Sequence, residues 1–94
     1  MEERRREKRT VEFLEIKEIN HRSGEGSQVL DISPLGAKLE TPFTFSPGEA
    51  VEFTYLRPGE EQEHRRWGQA IWVLPAPNKP GRYLVGLELF QHAD

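Results

Sequence analysis

Within the six residues Asp31-Ile32-Ser33-Pro34-Leu35-Gly36 the chain places a carboxylate, a hydroxyl and a glycine between two segments of alternating apolar residues. Short Asp and Ser side chains at a strand end can be held stiffly and hydrogen-bond the edge of a ligand, while a glycine allows a sharp turn or a close approach. The same residues also make a self-contained turn, with Asp and Ser bonding their own backbone, Pro34 presetting φ and Gly36 taking a positive φ. A second cluster is Glu2-Glu3-Arg4-Arg5-Arg6-Glu7-Lys8-Arg9. Its guanidinium groups suit phosphate oxygens; taken by itself, the run is equally a solvated charge stretch or a helical turn.

Charge divides unevenly along the chain. Through Arg9 there are five basic and three acidic residues, and the remainder holds eight basic and thirteen acidic ones. An acidic body repels the polyanionic backbone of DNA or RNA, whereas a small phosphate-bearing ligand needs only a local basic cluster. With 94 residues the chain makes one small domain. No apolar run comes near the roughly 20 residues of a membrane span, and no signal-peptide pattern opens the chain, so a cytoplasmic protein without membrane insertion is expected. Cysteine is absent, which removes a disulfide frame, a thiolate nucleophile and Cys-based zinc sites. His21, His64 and His92 form no ligand pattern, and neither a metal nor a cofactor is expected.

Residues 1–10 are nearly devoid of apolar side chains and cannot offset the entropy of being fixed, which predicts a mobile basic arm ahead of a domain over residues 11–94. Residues 11–19 read as a long strand that bends or changes its buried face, because Val11 and Phe13 lie in one phase and Leu14 and Ile16 in the other. A loop over residues 20–27 leads to a short strand at 29–32, the Asp-Ser-Gly turn, and a second strand over Ala37-Lys38-Leu39-Glu40. Residues 41–49, with Pro42, Pro47 and Gly48, form a connection whose Phe43 and Phe45 are expected against the end of the core. Val51, Phe53 and Tyr55 alternate along the next strand, and Arg57-Pro58-Gly59-Glu60 is a turn. Residues 65–74 read as a long strand with Trp67, Ile71 and Val73 on one side; residues 75–81, with three prolines, break it. Tyr83, Val85, Leu87 and Leu89 give the clearest period of two. About six strands joined by turns, with no helical period, predict an all-β, six-stranded antiparallel barrel.

The two clusters together resemble the PilZ domain family. That family is marked by an R-x-x-x-R pair before the first strand, matched by Arg5 and Arg9, and a [D/N]-x-S-x-x-G turn, matched by Asp31, Ser33 and Gly36. Gly68-Gln69-Ala70-Ile71-Trp72-Val73 and the segment from Tyr83 to Phe90 look like its late strands, so the resemblance covers nearly the whole chain. It implies a bacterial receptor domain for cyclic di-GMP, binding without turnover and signalling through an unidentified effector protein or domain. It further implies arginine contacts to phosphate and to guanine O6/N7, an Asp31 acceptor for guanine N1–H and N2–H, a Ser33 hydroxyl contact, and room for the ligand at Gly36. Arg4, beside the motif, is expected to set how many ligands are held. Family members commonly carry a helix after the last strand; only residues 91–94 follow here, so little or no C-terminal helix is expected.

Other function classes fit less well. Ser33 has no patterned base partner, which argues against an enzyme. Trp67, Trp72, Tyr55 and Phe53 would serve a single-stranded nucleic acid binder as stacking platforms, but the alternation puts most of them inward and the body is acidic. A PilZ-like protein-interaction adaptor without ligand would not need both motifs intact.

Overall fold

A computed structural model describes the backbone of residues 10–90 and the side chains of residues 13–90. Seven strands follow in order: β1 (Thr10–Ile19), β2 (Arg22–Ser23), β3 (Gln28–Ile32), β4 (Gly36–Thr41), β5 (Ala50–Tyr55), β6 (His64–Pro75) and β7 (Tyr83–Leu89). They pair antiparallel in the order β2-β1-β3-β4-β7-β6-β5, and β1 also pairs with β5. This closes a six-stranded barrel, with two-residue β2 as an extra strand. No helix occurs among the described residues. The predicted arm with Arg4, Arg5 and Arg9 lies outside the described residues except for Thr10, which opens β1; residues 91–94 also lie outside.

The core is set by the strand period of two, corrected at bulges. Val51, Phe53 and Tyr55 of β5 and Val85, Leu87 and Leu89 of β7 are all buried in one core. In β1 the register shifts between Val11 and Leu14 and again between Ile16 and Glu18. Phe13 therefore stands 72% exposed while Leu14, Ile16 and Ile19 are all buried, the change of face that the mixed phase predicts. Phe45 joins the core and Phe43 packs against it, under the Arg22 guanidinium at 4.3 Å.

Two expectations need correction. The predicted loop over residues 20–27 contains β2, reached through Asn20 and His21 at φ 49° and 67°, a two-residue hairpin turn that demands positive φ at both positions. The Asn20 side chain donates to the Ala50 carbonyl (3.1 Å) and accepts from the Glu52 amide (2.8 Å), tying this turn to β5 where the barrel closes. In β6, Trp67, Ile71 and Val73 do not share one side. The register shifts between Ala70 and Trp72, so Ala70 points inward, Ile71 is the extra residue, and Val73 regains the inner phase. Trp67 and Ile71 are left 39% and 51% exposed. Small residues occupy the inner positions because the strands run close: a Cβ built on Gly68 would overlap the Glu88 carbonyl oxygen.

The loop between β6 and β7 is fastened to β4 by Glu40, buried although it carries charge. Its carboxylate accepts from Arg82 Nε (2.9 Å), pairs with Lys79 Nζ (3.1 Å) and accepts from Gln28 Nε2 (3.3 Å), and Arg82 also donates to the Gly26 carbonyl. The Arg82 hydrogen bond holds the Glu40 carboxyl below its ordinary value of 4.5, against the opposing effect of burial. A lowered folded pKa means stability that is present above about pH 4.5 and lost as pH falls below it. Glu40→Gln should cost about 1–2 kcal/mol at neutral pH, between the values for an exposed and a fully buried pair, because both cations keep contact with water. The melting-temperature gap between wild type and Glu40→Gln should close as pH falls below about 4.5; a constant gap would deny Glu40 this role.

Candidate functional site

The Asp31 segment owes its geometry to a bulge. Val29 and Ile32 are both buried although three residues apart, and the β3–β4 register shifts between Val29 and Asp31. The extra residue turns Asp31 away from the core, where it pairs in register with Lys38 of β4 and Val11 of β1. The following turn is closed by the Ser33 amide donating to the Gly36 carbonyl at 2.8 Å, with the Ser33 hydroxyl directed to the same oxygen at 3.4 Å. Ser33 is buried and so serves the turn itself. Among the described residues the glycines at positive φ are Gly26, Gly48, Gly59 and Gly81. Gly36 instead begins β4 in register with Glu88, in an extended backbone and not the left-handed turn expected from sequence.

On the outer face beside this turn lies a groove of about 280 Å³ lined by Asp31, Gly36, Ala37, Lys38, Ile71, Trp72, Gly86 and Leu87. Its axis is one cross-strand row: Trp72 pairs with Gly86, Gly86 with Lys38, and Lys38 with Asp31. At the usual strand spacing the row is about 14 Å long. Gly86 is the gap in it, since a Cβ there would overlap the Trp72 indole. The ring thus lies across β7 toward the lysine and the carboxylate, and stays 38% exposed. An aromatic face, a cation and a carboxylate in one row can stack a planar base, meet an anion and accept from ring N–H groups.

Of the residues singled out from sequence, Asp31 and Gly36 meet in this groove and Ser33 sits in the adjoining turn. Thr10 pairs with Ile32, so the chain enters the barrel beside the motif turn, with Arg9 the residue before it in sequence. Sequence reasoning missed Lys38, Ile71 and Gly86 as site residues and treated Trp72 only as part of a late strand or a nucleic acid platform. The bulge at Ile71 is what brings Trp72 to the outer face, and no period in the sequence marks it. A second, wider hollow lies between Asn20, His21, Ala50, Glu52, Arg65 and Trp67. Its Arg65 and Glu52 side chains are paired at 3.3 Å, and it contains none of the motif residues. Among the described residues no cluster of His, Asp and Glu side chains could hold a metal ion, and no helix is long and apolar enough to cross a membrane.

The family model described as PilZ domain matches residues 3–94. Among solved structures, the chain is similar to the Bacillus subtilis inhibitor of motility (MotI/DgrA), with 21% identity and a TM-score of 0.64 over 97% of this chain. That likeness is one of fold, and the present chain spans 44% of the length of that protein. No curated protein matches the chain.

Proposed function

Because this chain belongs to the PilZ domain family, whose members are ligand-binding and adaptor domains rather than enzymes, we propose that it is a receptor for cyclic di-GMP that binds in the outer-face groove and signals to an effector protein or domain. The observation that carries this reading is the row Trp72–Gly86–Lys38–Asp31, which meets the motif glycine at the end of the barrel where the chain enters β1. Asp31 accepts from guanine N1–H and N2–H, the Trp72 indole stacks on a base, and Lys38 faces a phosphodiester. Gly36 leaves room for the ligand, and Ser33 holds the turn. Arg5 and Arg9 supply guanidinium forks for the phosphates and for guanine O6/N7. A groove of about 280 Å³ is small for a two-base ligand beside ordinary sites of about 300–1,000 Å³, which leaves the arginine segment to cover the remainder. Arg4 adds a cation at the point where a second, stacked ligand would lie.

Ordering a five-residue segment costs about 1–2 kcal/mol per residue. Charge-assisted bonds at about 1.5–3 kcal/mol each can match that, and neutral ones at about 1 cannot. Contacts therefore fall on the arginines. Calorimetric titration with cyclic di-GMP, GTP and a short oligonucleotide tests the reading: heat and saturation with the first alone support it. Silence with all three leaves the adaptor reading, and saturation with the oligonucleotide leaves a nucleic acid binder.

Gly86→Ala probes the seat of the indole. The added methyl must displace Trp72, a partly exposed side chain free to swing away, so the barrel survives while the base loses its platform. Stacking is worth about 1–3 kcal/mol per base, and affinity for cyclic di-GMP should fall about tenfold or more. Unchanged affinity would remove Trp72 from the site.

A further inference from the structure

The motif turn is held from outside by one side chain that belongs to neither motif. Its three carbonyls at Pro34, Leu35 and Gly36 all have donors: the Leu35 oxygen accepts from the Leu89 amide at 2.9 Å, the Gly36 oxygen from the Ser33 amide at 2.8 Å, and the Pro34 oxygen from Arg66 Nη2 at 2.8 Å. The first two donors are backbone groups that any sequence in this fold would supply. The third depends on residue 66. Arg66 lies on β6 opposite Phe53 of β5, in the inward phase with Gly68 and Ala70 but at the barrel end, where a long side chain can leave the apolar interior and reach the turn. It is half-buried, and it is not among the residues lining the groove.

We propose that Arg66 is a positioning residue for the ligand site, fixing the Ser33–Gly36 turn against β6 so that Asp31 and Gly36 stand at the separation the groove requires. This rests on the groove being the cyclic di-GMP site. A guanidinium donor makes a stronger bond to a carbonyl than a neutral one does, and Pro34, with no N–H of its own, offers the turn no compensating bond. Without the guanidinium the turn samples other arrangements, and the apparent Kd rises by the inverse of the fraction still competent.

The test compares wild type, Arg66→Met and Arg66→Lys in the whole chain by cyclic di-GMP titration at two salt concentrations and by amide exchange of the free proteins. Arg66→Met should raise Kd about tenfold, and Arg66→Lys, which keeps a charged donor, should stay within about threefold of wild type. The Ser33 and Leu89 amides should exchange faster in Arg66→Met, and the salt dependence of Kd should be that of wild type. Unchanged affinity together with faster exchange overturns the positioning role. A weaker salt dependence in Arg66→Met also overturns it, by showing that Arg66 meets ligand phosphate directly. If wild type binds no cyclic di-GMP, the receptor reading fails separately. Exchange then decides whether Arg66 holds the turn, and unchanged rates at Ser33 and Leu89 reject it.

Discussion

Cyclic di-GMP at about 100 times its Kd should raise the melting temperature of this chain by roughly 11–22 °C. A ligand that binds only the folded state adds about 2.7 kcal/mol at that excess, and each kcal/mol moves the midpoint of a domain this small by roughly 4–8 °C. The groove gives a reason for the coupling to be global. Its row of residues spans β6, β7, β4 and β3, so a ligand lying along it bridges four of the six barrel strands and is lost when they separate. Thermal unfolding with and without ligand, and with GTP as the control, measures this. A midpoint unmoved by saturating cyclic di-GMP would end the receptor assignment.

Arg9→Ala and Asp31→Ala should each weaken cyclic di-GMP binding roughly tenfold to a hundredfold, the equivalent of about 1.5–3 kcal/mol for a lost charged hydrogen-bond partner. The two losses have different origins. Asp31 is turned outward by the β3 bulge and belongs to the groove, so its removal would take away the proposed acceptor for the guanine N–H groups without opening a cavity in the core. Arg9 precedes Thr10 in the sequence, and in the proposed site its removal would take away a cation for the ligand phosphate. Raising salt should therefore narrow the gap between wild type and Arg9→Ala more than the gap for Asp31→Ala, since screening acts on the ionic contact. Calorimetry on both variants decides this. Equal affinity in either would mean that its residue is retained for turn or chain geometry and not for the ligand.

Strand number, antiparallel arrangement and much of the core were legible from the chain because they follow from a period of two. Val51, Phe53 and Tyr55, and Val85, Leu87 and Leu89, declare their buried face by alternation, and each is buried in the barrel. The Arg57–Glu60 turn is equally local: Gly59 takes φ 83° and the Glu60 amide donates to Arg57 at 3.1 Å. The motif positions Asp31, Ser33 and Gly36 could be named for the same reason, since six consecutive residues carry them.

The face on which residues end up was settled by contacts between strands. One inserted residue reverses every side chain beyond it; the mixed phase of residues 11–19 announces the change of face in β1, but the bulges in β3 and β6 leave no such trace, since they form where neighbouring ladders must be reconciled. That is why Trp67 and Ile71 are exposed while Ala70 is inside, and why Asp31 faces a groove instead of the core. The groove itself joins Asp31, Lys38, Gly86 and Trp72 from four strands. Their sequence separations carry no pattern, because only the pairing of β3 with β4 and the threading of β7 between β4 and β6 put them in a row. Arg66 at Pro34, 32 residues away, is of the same kind: its side chain says that it can donate, and the barrel alone says to what.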